Sequence, residues 1–163
     1  MFDKTLCDCC VCPMQCICQQ LAELGIEVTI FSREQRFNFF EIQEAKNFIV
    51  TGLQSGETMQ SFLPTANISY IEIDETVSFN LKQIQKNIKG ECACAEDPIT
   101  NVAQSLINET VAICIQADDG DLEVIICDVG EGIVIAKEVN GTPMYAISSC
   151  AITGITPPTD KMN

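Results

Sequence analysis

The sequence predicts a mainly β protein made of two copies of one module, each with a short α-helix followed by five strands. Three observations lead to this prediction. A pattern of cysteine, proline and apolar residues from the first half of the chain recurs in the second half. Each copy opens on a proline at the start of a helical pattern and continues in short segments rich in β-branched residues. Apolar residues make up 47% of the chain, which is enough for a packed core and excludes disorder.

The internal repeat is anchored at several separated places. At an offset of 85 it pairs Cys7-Asp8-Cys9 with Cys92-Ala93-Cys94, Pro13 with Pro98, Val28-Thr29-Ile30 with Ile113-Cys114-Ile115, and Phe48-Ile49-Val50 with Ile133-Val134-Ile135. After the loss of one residue, an offset of 84 pairs Leu63, Ile68 and Ile71 with Ile147, Ile152 and Ile155. Several anchors in register predict two copies, at about residues 7–75 and 92–156.

Each copy has the same predicted elements. Pro13 begins a helix that Gly25 ends, and Asp97-Pro98 begins its counterpart. The strands predicted in the first copy are Ile26–Ser32, Phe37–Gln43, Asn47–Leu53, Met59–Pro64 and Tyr70–Ile73. Those in the second copy are Val111–Ala117, Leu122–Val129, Ile133–Val139, Pro143–Ser148 and Ile152–Thr156. The resulting plan is an N-terminal arm (residues 1–12), a first module (13–75), a linker helix from Asn80 to Gly90 within 76–91, a second module (92–156) and a tail (157–163).

Two stretches resemble the Sm-like small barrels. Phe62–Ile71 and Tyr145–Ile152 are similar to the fourth strand, tight corner and fifth strand of that family. The resemblance implies two tandem five-stranded Sm-like barrels, each preceded by a short helix. It also implies that an edge strand of one barrel pairs with an edge strand of the next. No position matches the basic Arg-Gly corner with which Sm proteins bind RNA, so RNA binding is not carried over.

Eleven cysteines, an odd number, require at least one thiol to stay free, to pair with another chain or to hold a ligand. Six lie between Cys7 and Cys18, and this opening resembles cysteine-rich proteins of the spore coat, exosporium and spore appendages of Firmicutes. Three interpretations of the cysteines stay open, namely covalent assembly, a metal site and apolar packing.

For covalent assembly, neighbouring cysteines on an extended arm point in alternate directions and cannot easily bond to each other, so they would reach a partner chain or the other repeat. The candidates are Cys7, Cys9, Cys10, Cys12, Cys16, Cys18, Cys92, Cys94 and Cys150. For a metal site, Cys7, Cys9, Cys10 and Cys12 would hold Zn²⁺ or another thiolate-bound metal. For packing, Cys16 and Cys18 would lie on the first helix as small apolar residues.

Composition argues against several functions. The chain has no histidine, so a cysteine nucleophile lacks its commonest base, and we expect no enzyme. A net charge of −14 disfavours nucleic acids and anionic membranes. No secretory signal or transmembrane segment is recognised, although the many cysteines suit oxidising surroundings. We therefore expect a structural protein that assembles with copies of itself, on a spore surface after mother-cell lysis or otherwise in the cytoplasm, with a thiolate metal or redox module as the alternative.

Overall fold

The described part of the protein is mainly β, as predicted, with ten antiparallel strands in one sheet. A computed structural model describes residue 5 and residues 7–84, 90–116 and 120–157. Its first unit contains α1 (Cys12–Leu24), β1 (Glu27–Ser32), β2 (Arg36–Lys46), β3 (Ile49–Gln54), β4 (Ser61–Pro64) and β5 (Ile68–Ile73). Its second unit contains α2 (Glu91–Ala95), α3 (Asp97–Ser105), β6 (Thr110–Ile115), β7 (Asp121–Gly130), β8 (Ile133–Lys137), β9 (Met144–Ser148) and β10 (Ile152–Thr156).

The strand order is the same within each unit. Along the sheet it reads β10-β6-β7-β8-β9-β5-β1-β2-β3-β4, so each unit contributes its last strand followed by its first, second, third and fourth. The fourth strand of the second unit, β9, pairs with the last strand of the first unit, β5. The units therefore share one open sheet and do not stand as two separate closed barrels.

The residue pairing is also repeated. Val50 pairs with Leu63 in the first unit, and the equivalent residues of the second unit, Val134 and Ile147, pair in the same way. The second strand of each unit shifts register at an equivalent residue, Gln43 in β2 and Cys127 in β7. A single 3₁₀ turn, Thr65–Asn67 or Ser149–Ala151, forms the corner between the last two strands of each unit. The two units are thus copies of one strand arrangement, although the register shift between β1 and β2 has no counterpart between β6 and β7.

The structure corrects the predicted offset before β4. Ile30 pairs with Ile71 in the first unit, and Ile113 pairs with Ile155 in the second, so β1 corresponds to β6 at an offset of 83 and not 85. From the second strands onward the offset is 84, because the pair Ile42–Gly52 corresponds to the pair Ile126–Ala136. Pro13 lies 14 residues before β1 and Pro98 lies 12 residues before β6, because α3 is shorter than α1. The connection between helix and first strand is itself longer in the second unit, at residues 106–109 against 25–26.

Two predicted local structures are wrong. The N-terminal arm is not extended over residues 7–11, because Cys7–Val11 forms one π-helical turn that runs into α1. The linker is not helical over 80–84, where the backbone of Asn80 instead exchanges hydrogen bonds with the side chain of Gln20 on α1, at 2.8 and 3.0 Å. The rest of the predicted linker helix, residues 85–89, lies outside the described residues.

Candidate functional site

The junction between the units is a continuous, buried strand pair. Along β5 and β9, Tyr70 faces Ile147, Ile71 faces Ala146 and Ile73 faces Met144. Tyr70 stacks on Phe31 with ring centroids 4.2 Å apart, and it meets Tyr145 edge to face at 6.1 Å. Burial removes these apolar side chains from water, so the junction has the character of a protein core.

The core clusters of the two units interpenetrate at this junction. The first is built on the apolar face of α1 and strands β1–β5, but it also includes Ile133, Ile135, Met144 and Ala146 from the second unit. The second cluster includes Tyr70 from β5, with Phe31 packed against it. Separating the units would therefore expose apolar surface from both.

Two disulfides tie the N-terminal arm to the second unit. Cys9 bonds to Cys92 in α2, with Cα atoms 6.1 Å apart, and Cys10 bonds to Cys150 in the second corner, with Cα atoms 6.0 Å apart. Both separations lie in the usual range for a disulfide. Adjacent cysteines on one helical turn thus reach two places in the other repeat, which is one of the two destinations that the sequence predicted for them.

The remaining candidate cysteines differ in access. Cys7, Cys16 and Cys94 are free and exposed, while Cys12 is free and partly buried. Cys18 is fully buried on α1, and burial, with a smaller contribution from Cys16, raises the pKa of its thiol to about 12. A thiol without thiolate character does not attack a disulfide, so Cys18 is a packing residue. Among the candidates, the thiols that are both free and exposed are those of Cys7, Cys16 and Cys94.

The N-terminal arm packs against a tight turn of the second unit at Gly132. Gly132 has φ +76°, and a Cβ atom there would collide with the backbone carbonyl of Cys9 and lie 2.9 Å from Cγ of Pro13. The N–H of Gly132 donates to the Glu96 carboxylate at 2.9 Å, and the Thr100 hydroxyl donates to the same oxygen. This arrangement fixes the turn against α3 while leaving its outer face to the arm.

Sequence reasoning missed the buried carboxylates at this turn. Burial raises the pKa of Glu96 to about 7, with Asp97 adding to the shift and the hydrogen bonds from Thr100 and Gly132 opposing it. Glu131 is also buried and forms an ion pair with Lys82 at 2.8 Å. The only sequence signal was the pair of glycines around Glu131, which marks a tight turn and does not reveal what packs on it.

The two outer edges of the sheet are short and uncharged. They are β4, with sequence Ser-Phe-Leu-Pro, and β10, with sequence Ile-Thr-Gly-Ile-Thr. Within the described ranges neither has a strand on its outer side. Phe62 in β4 is 66% exposed, and Gly154 and Ile155 in β10 are partly exposed. The β10 edge shifts register between Ile152 and Gly154, and β4 ends on Pro64. The equivalent shift in β5 does not prevent its pairing with β9. Uncharged edge strands of this kind are open to pairing with another chain.

Three cysteine sulfurs lie close enough together to be considered as metal ligands. The Sγ atoms of Cys9, Cys10 and Cys150 all lie within 4.8 Å of one another. Cys7 and Cys12, which the sequence placed in the same metal site, do not belong to this group. Because the three sulfurs are engaged in disulfides, they would have to be reduced before they could act as thiolate ligands.

In the described part of the chain, no helix has the length and apolar character needed to cross a membrane. Comparisons with protein-family models, with curated proteins and with solved structures give no match for this chain.

Proposed function

We propose that this protein is a self-assembling structural protein in which each unit is an Sm-like small barrel and chains join head to tail through their outer edges. The observation that carries the proposal is the internal junction. Inside the chain, the last strand of one unit pairs with the fourth strand of the other. The strands left at the outer edges are again a last strand, β10, and a fourth strand, β4. Each chain thus carries both halves of a contact that it already makes once internally.

The repeat also gives the register of the proposed joint. At the offset of 84, the internal pairs Tyr70–Ile147 and Ile71–Ala146 correspond to Gly154–Leu63 and Ile155–Phe62 between two chains. Antiparallel pairing in this register gives partners to the open N–H and C=O groups of Ser61, Phe62 and Leu63 in β4 and covers the Phe62 side chain. Because the contact joins unlike surfaces, repetition gives a closed ring or an open fibre, depending on the rotation at each joint. We propose a spore surface as the setting and neither catalysis nor nucleic-acid binding as a role.

The first test places a charge on one edge. We expect the wild-type protein, in reductant, to elute as particles larger than a single chain in size exclusion with light scattering. Phe62→Lys should give monomers, since a lysine on an edge strand blocks the addition of another strand. Phe39→Lys is the matched control, because Phe39 is similarly exposed, at 63%, but lies away from both edges. A wild-type protein that is monomeric at all concentrations would overturn the proposal.

A mixing test examines the head-to-tail geometry. Phe62→Lys blocks the β4 edge and Ile155→Lys blocks the β10 edge, so each variant alone should be monomeric. In an equal mixture, the intact β10 of one variant can pair with the intact β4 of the other, and assembly should stop at a dimer. Large particles in the mixture, or no dimer at all, would contradict a joint between β4 and β10.

A second candidate function is a thiolate metal site that forms when the disulfides are reduced. It is favoured by the three clustered sulfurs of Cys9, Cys10 and Cys150, to which Cys92, the disulfide partner of Cys9, would add a fourth ligand. Titration of the reduced protein with Zn²⁺ should then give stoichiometric binding that Cys150→Ser weakens and Cys16→Ser does not. Equal binding by both variants would exclude this site.

A further inference from the structure

We infer that Cys94 of one chain forms a disulfide with Cys7 of the next chain, as the counterpart, across the joint between chains, of the internal Cys9–Cys92 bond. This inference rests on the proposed head-to-tail assembly. It follows from applying the repeat to the internal bond. At the offset of 85, Cys94 is the counterpart of Cys9 and Cys7 is the counterpart of Cys92.

The two units present these cysteines on equivalent elements. In the first unit, the turn Cys7–Val11 runs into α1, and in the second α2 (Glu91–Ala95) is followed almost at once by α3. Pro13 and Pro98 each occupy the opening of the longer helix. Inside the chain, the turn Cys7–Val11 of the first unit bonds to α2 of the second unit across the β5–β9 junction. At a β10–β4 joint of the same kind, α2 of one chain faces the turn Cys7–Val11 of the next chain.

The state of the thiols agrees with this assignment. Cys9 and Cys92 are fully buried and bonded to each other, so one cysteine of each repeated Cys-x-Cys motif has its partner inside the chain. The other cysteines of the two repeated Cys-x-Cys motifs, Cys7 and Cys94, are both free and both exposed. Each motif therefore has one cysteine that is bonded inside the chain and one exposed free thiol that can bond to a neighbouring chain.

The repeat gives one disulfide at the outer joint and not two. The internal Cys10–Cys150 bond has its counterpart positions at Ala95, in α2, and Ala66, in the first corner. Alanine cannot form a disulfide, so this second link is confined to the interior of the chain. Because of this difference, the proposed joint between chains can be opened by breaking one covalent bond.

The proposed joint between chains must differ from the internal junction at one position. The turn residue Gly132, against which the carbonyl of Cys9 packs, corresponds to Phe48 in the first unit. Phe48 keeps a positive φ of 63° and is 45% exposed. At the outer joint the carbonyl of Cys94 must therefore stand further from this turn than that of Cys9 does. Disulfides tolerate Cα separations of about 4.4–6.8 Å, so the 6.1 Å of the internal bond leaves limited room for this displacement.

The bond forms by thiol–disulfide exchange. The thiols of Cys7 and Cys94 each give up a proton and together give up two electrons as their sulfurs join. A low-molecular-weight disulfide accepts the two electrons and the two protons, and it is cleaved to two thiols. Edge pairing comes first, because it holds the two thiols at a high effective concentration.

The experiment uses oxidised glutathione as the oxidant and the full chain. Wild-type protein, assembled and then oxidised, should give a ladder on a non-reducing gel, and peptide mass spectrometry should identify Cys7 linked to Cys94. Cys7→Ser and Cys94→Ser should each abolish the ladder, while Cys16→Ser, which removes another exposed free thiol, should keep it. An equal mixture of Cys7→Ser and Cys94→Ser chains should stop at covalent dimers.

The outcomes separate this inference from the proposed function. If particles form in reductant but the linked peptide is absent after oxidation, the disulfide is wrong and edge assembly stands. If the ladder persists without Cys7 or without Cys94, another pair makes the link and the inference is again wrong. A protein that is monomeric in reductant and unlinked after oxidation overturns both.

Discussion

The internal junction and the outer edges use equivalent strands but differ in what surrounds them. At the junction, Tyr70 stacks on Phe31, and two disulfides bridge the units. The positions equivalent to these aromatics in the second unit are Gly154 and Cys114, so the β10 edge has no such stack. The pairing inside the chain is therefore supported by an aromatic stack and two disulfides, and a pairing at the outer edges would lack both of these supports. The difference suits a contact that is permanent inside the chain and reversible between chains.

The largest expected effect comes from breaking the internal bond. Replacing Cys9 and Cys92 by serine removes a link between residues 83 apart in sequence. A loop of this length predicts a loss of about 4 kcal/mol in the free energy of unfolding. Urea denaturation of the oxidised variant measures the loss, and Cys16→Ser is the control with an exposed free thiol. A variant as stable as the wild type would mean that this bond adds no stability beyond that of the Cys10–Cys150 disulfide, which stays in the variant.

A somewhat smaller loss is expected from Gly132→Ala. The new methyl group meets the carbonyl of Cys9 and is attached to a residue with φ +76°. Steric overlap and the left-handed backbone together predict roughly 3 kcal/mol of destabilisation. Gly56→Ala is the matched control, because Gly56 has φ +87° with open space around its α-carbon, and it should lose only about 1 kcal/mol. Equal losses in the two variants would show that the arm does not press on the turn.

The turn at Gly132 also predicts a pH dependence. The pKa of Glu96 rises from the ordinary 4.5 to about 7, so the folded state favours the protonated carboxyl. The stabilisation from this group is complete below pH 4.5 and is lost as the pH rises through 7. Glu96→Gln should be insensitive to this change, so its stability relative to the wild type should increase between pH 5 and 8. Urea unfolding of both proteins at several pH values checks this, and a constant difference would contradict it.

The smallest expected effect makes the outer joint more like the internal one. Phe48→Gly removes a side chain from a left-handed residue and should stabilise the chain by at most about 1 kcal/mol. It should also speed the cross-linking of Cys7 to Cys94, measured as ladder formation against time. Phe39→Gly relieves a similar positive φ of 49° away from the edges and should leave that rate unchanged. If the two variants cross-link at the same rate, Phe48 does not lie at the joint.

Much of the strand plan could be predicted because turns and β-branched segments are local signals. The predicted β10 agrees with the structure at both ends, and β9 differs by one residue. The repeat register was harder. A slip of two residues in β1 keeps Val28 and Ile30 on the inner face, so the alternation looks the same at an offset of 83 or 85. A slip of one residue was hidden in Ile133–Lys137, because nearly all of that strand is buried on both faces and its apolar residues do not alternate.

The cysteine partners could not be predicted because they depend on long-range packing. Cys9 and Cys92 are far apart in sequence and meet only because β5 pairs with β9. The prediction of a helix at residues 80–84 was wrong for a related reason, since the helical pattern was outweighed by hydrogen bonds between Asn80 and Gln20, which lies on another element. Local pattern identified the units, whereas the contacts between them required the sheet order.

The unlike outer edges have a consequence for how growth of such an assembly would be limited. A chain with β4 blocked can still add through β10, and it then presents no site for the next chain. One such molecule stops growth at the end to which it adds, so a small fraction of blocked chains would shorten all filaments. The average filament length would be inversely proportional to that fraction. A short peptide copying Ile152–Thr156 would act in the same way, as a chain terminator that needs no covalent bond.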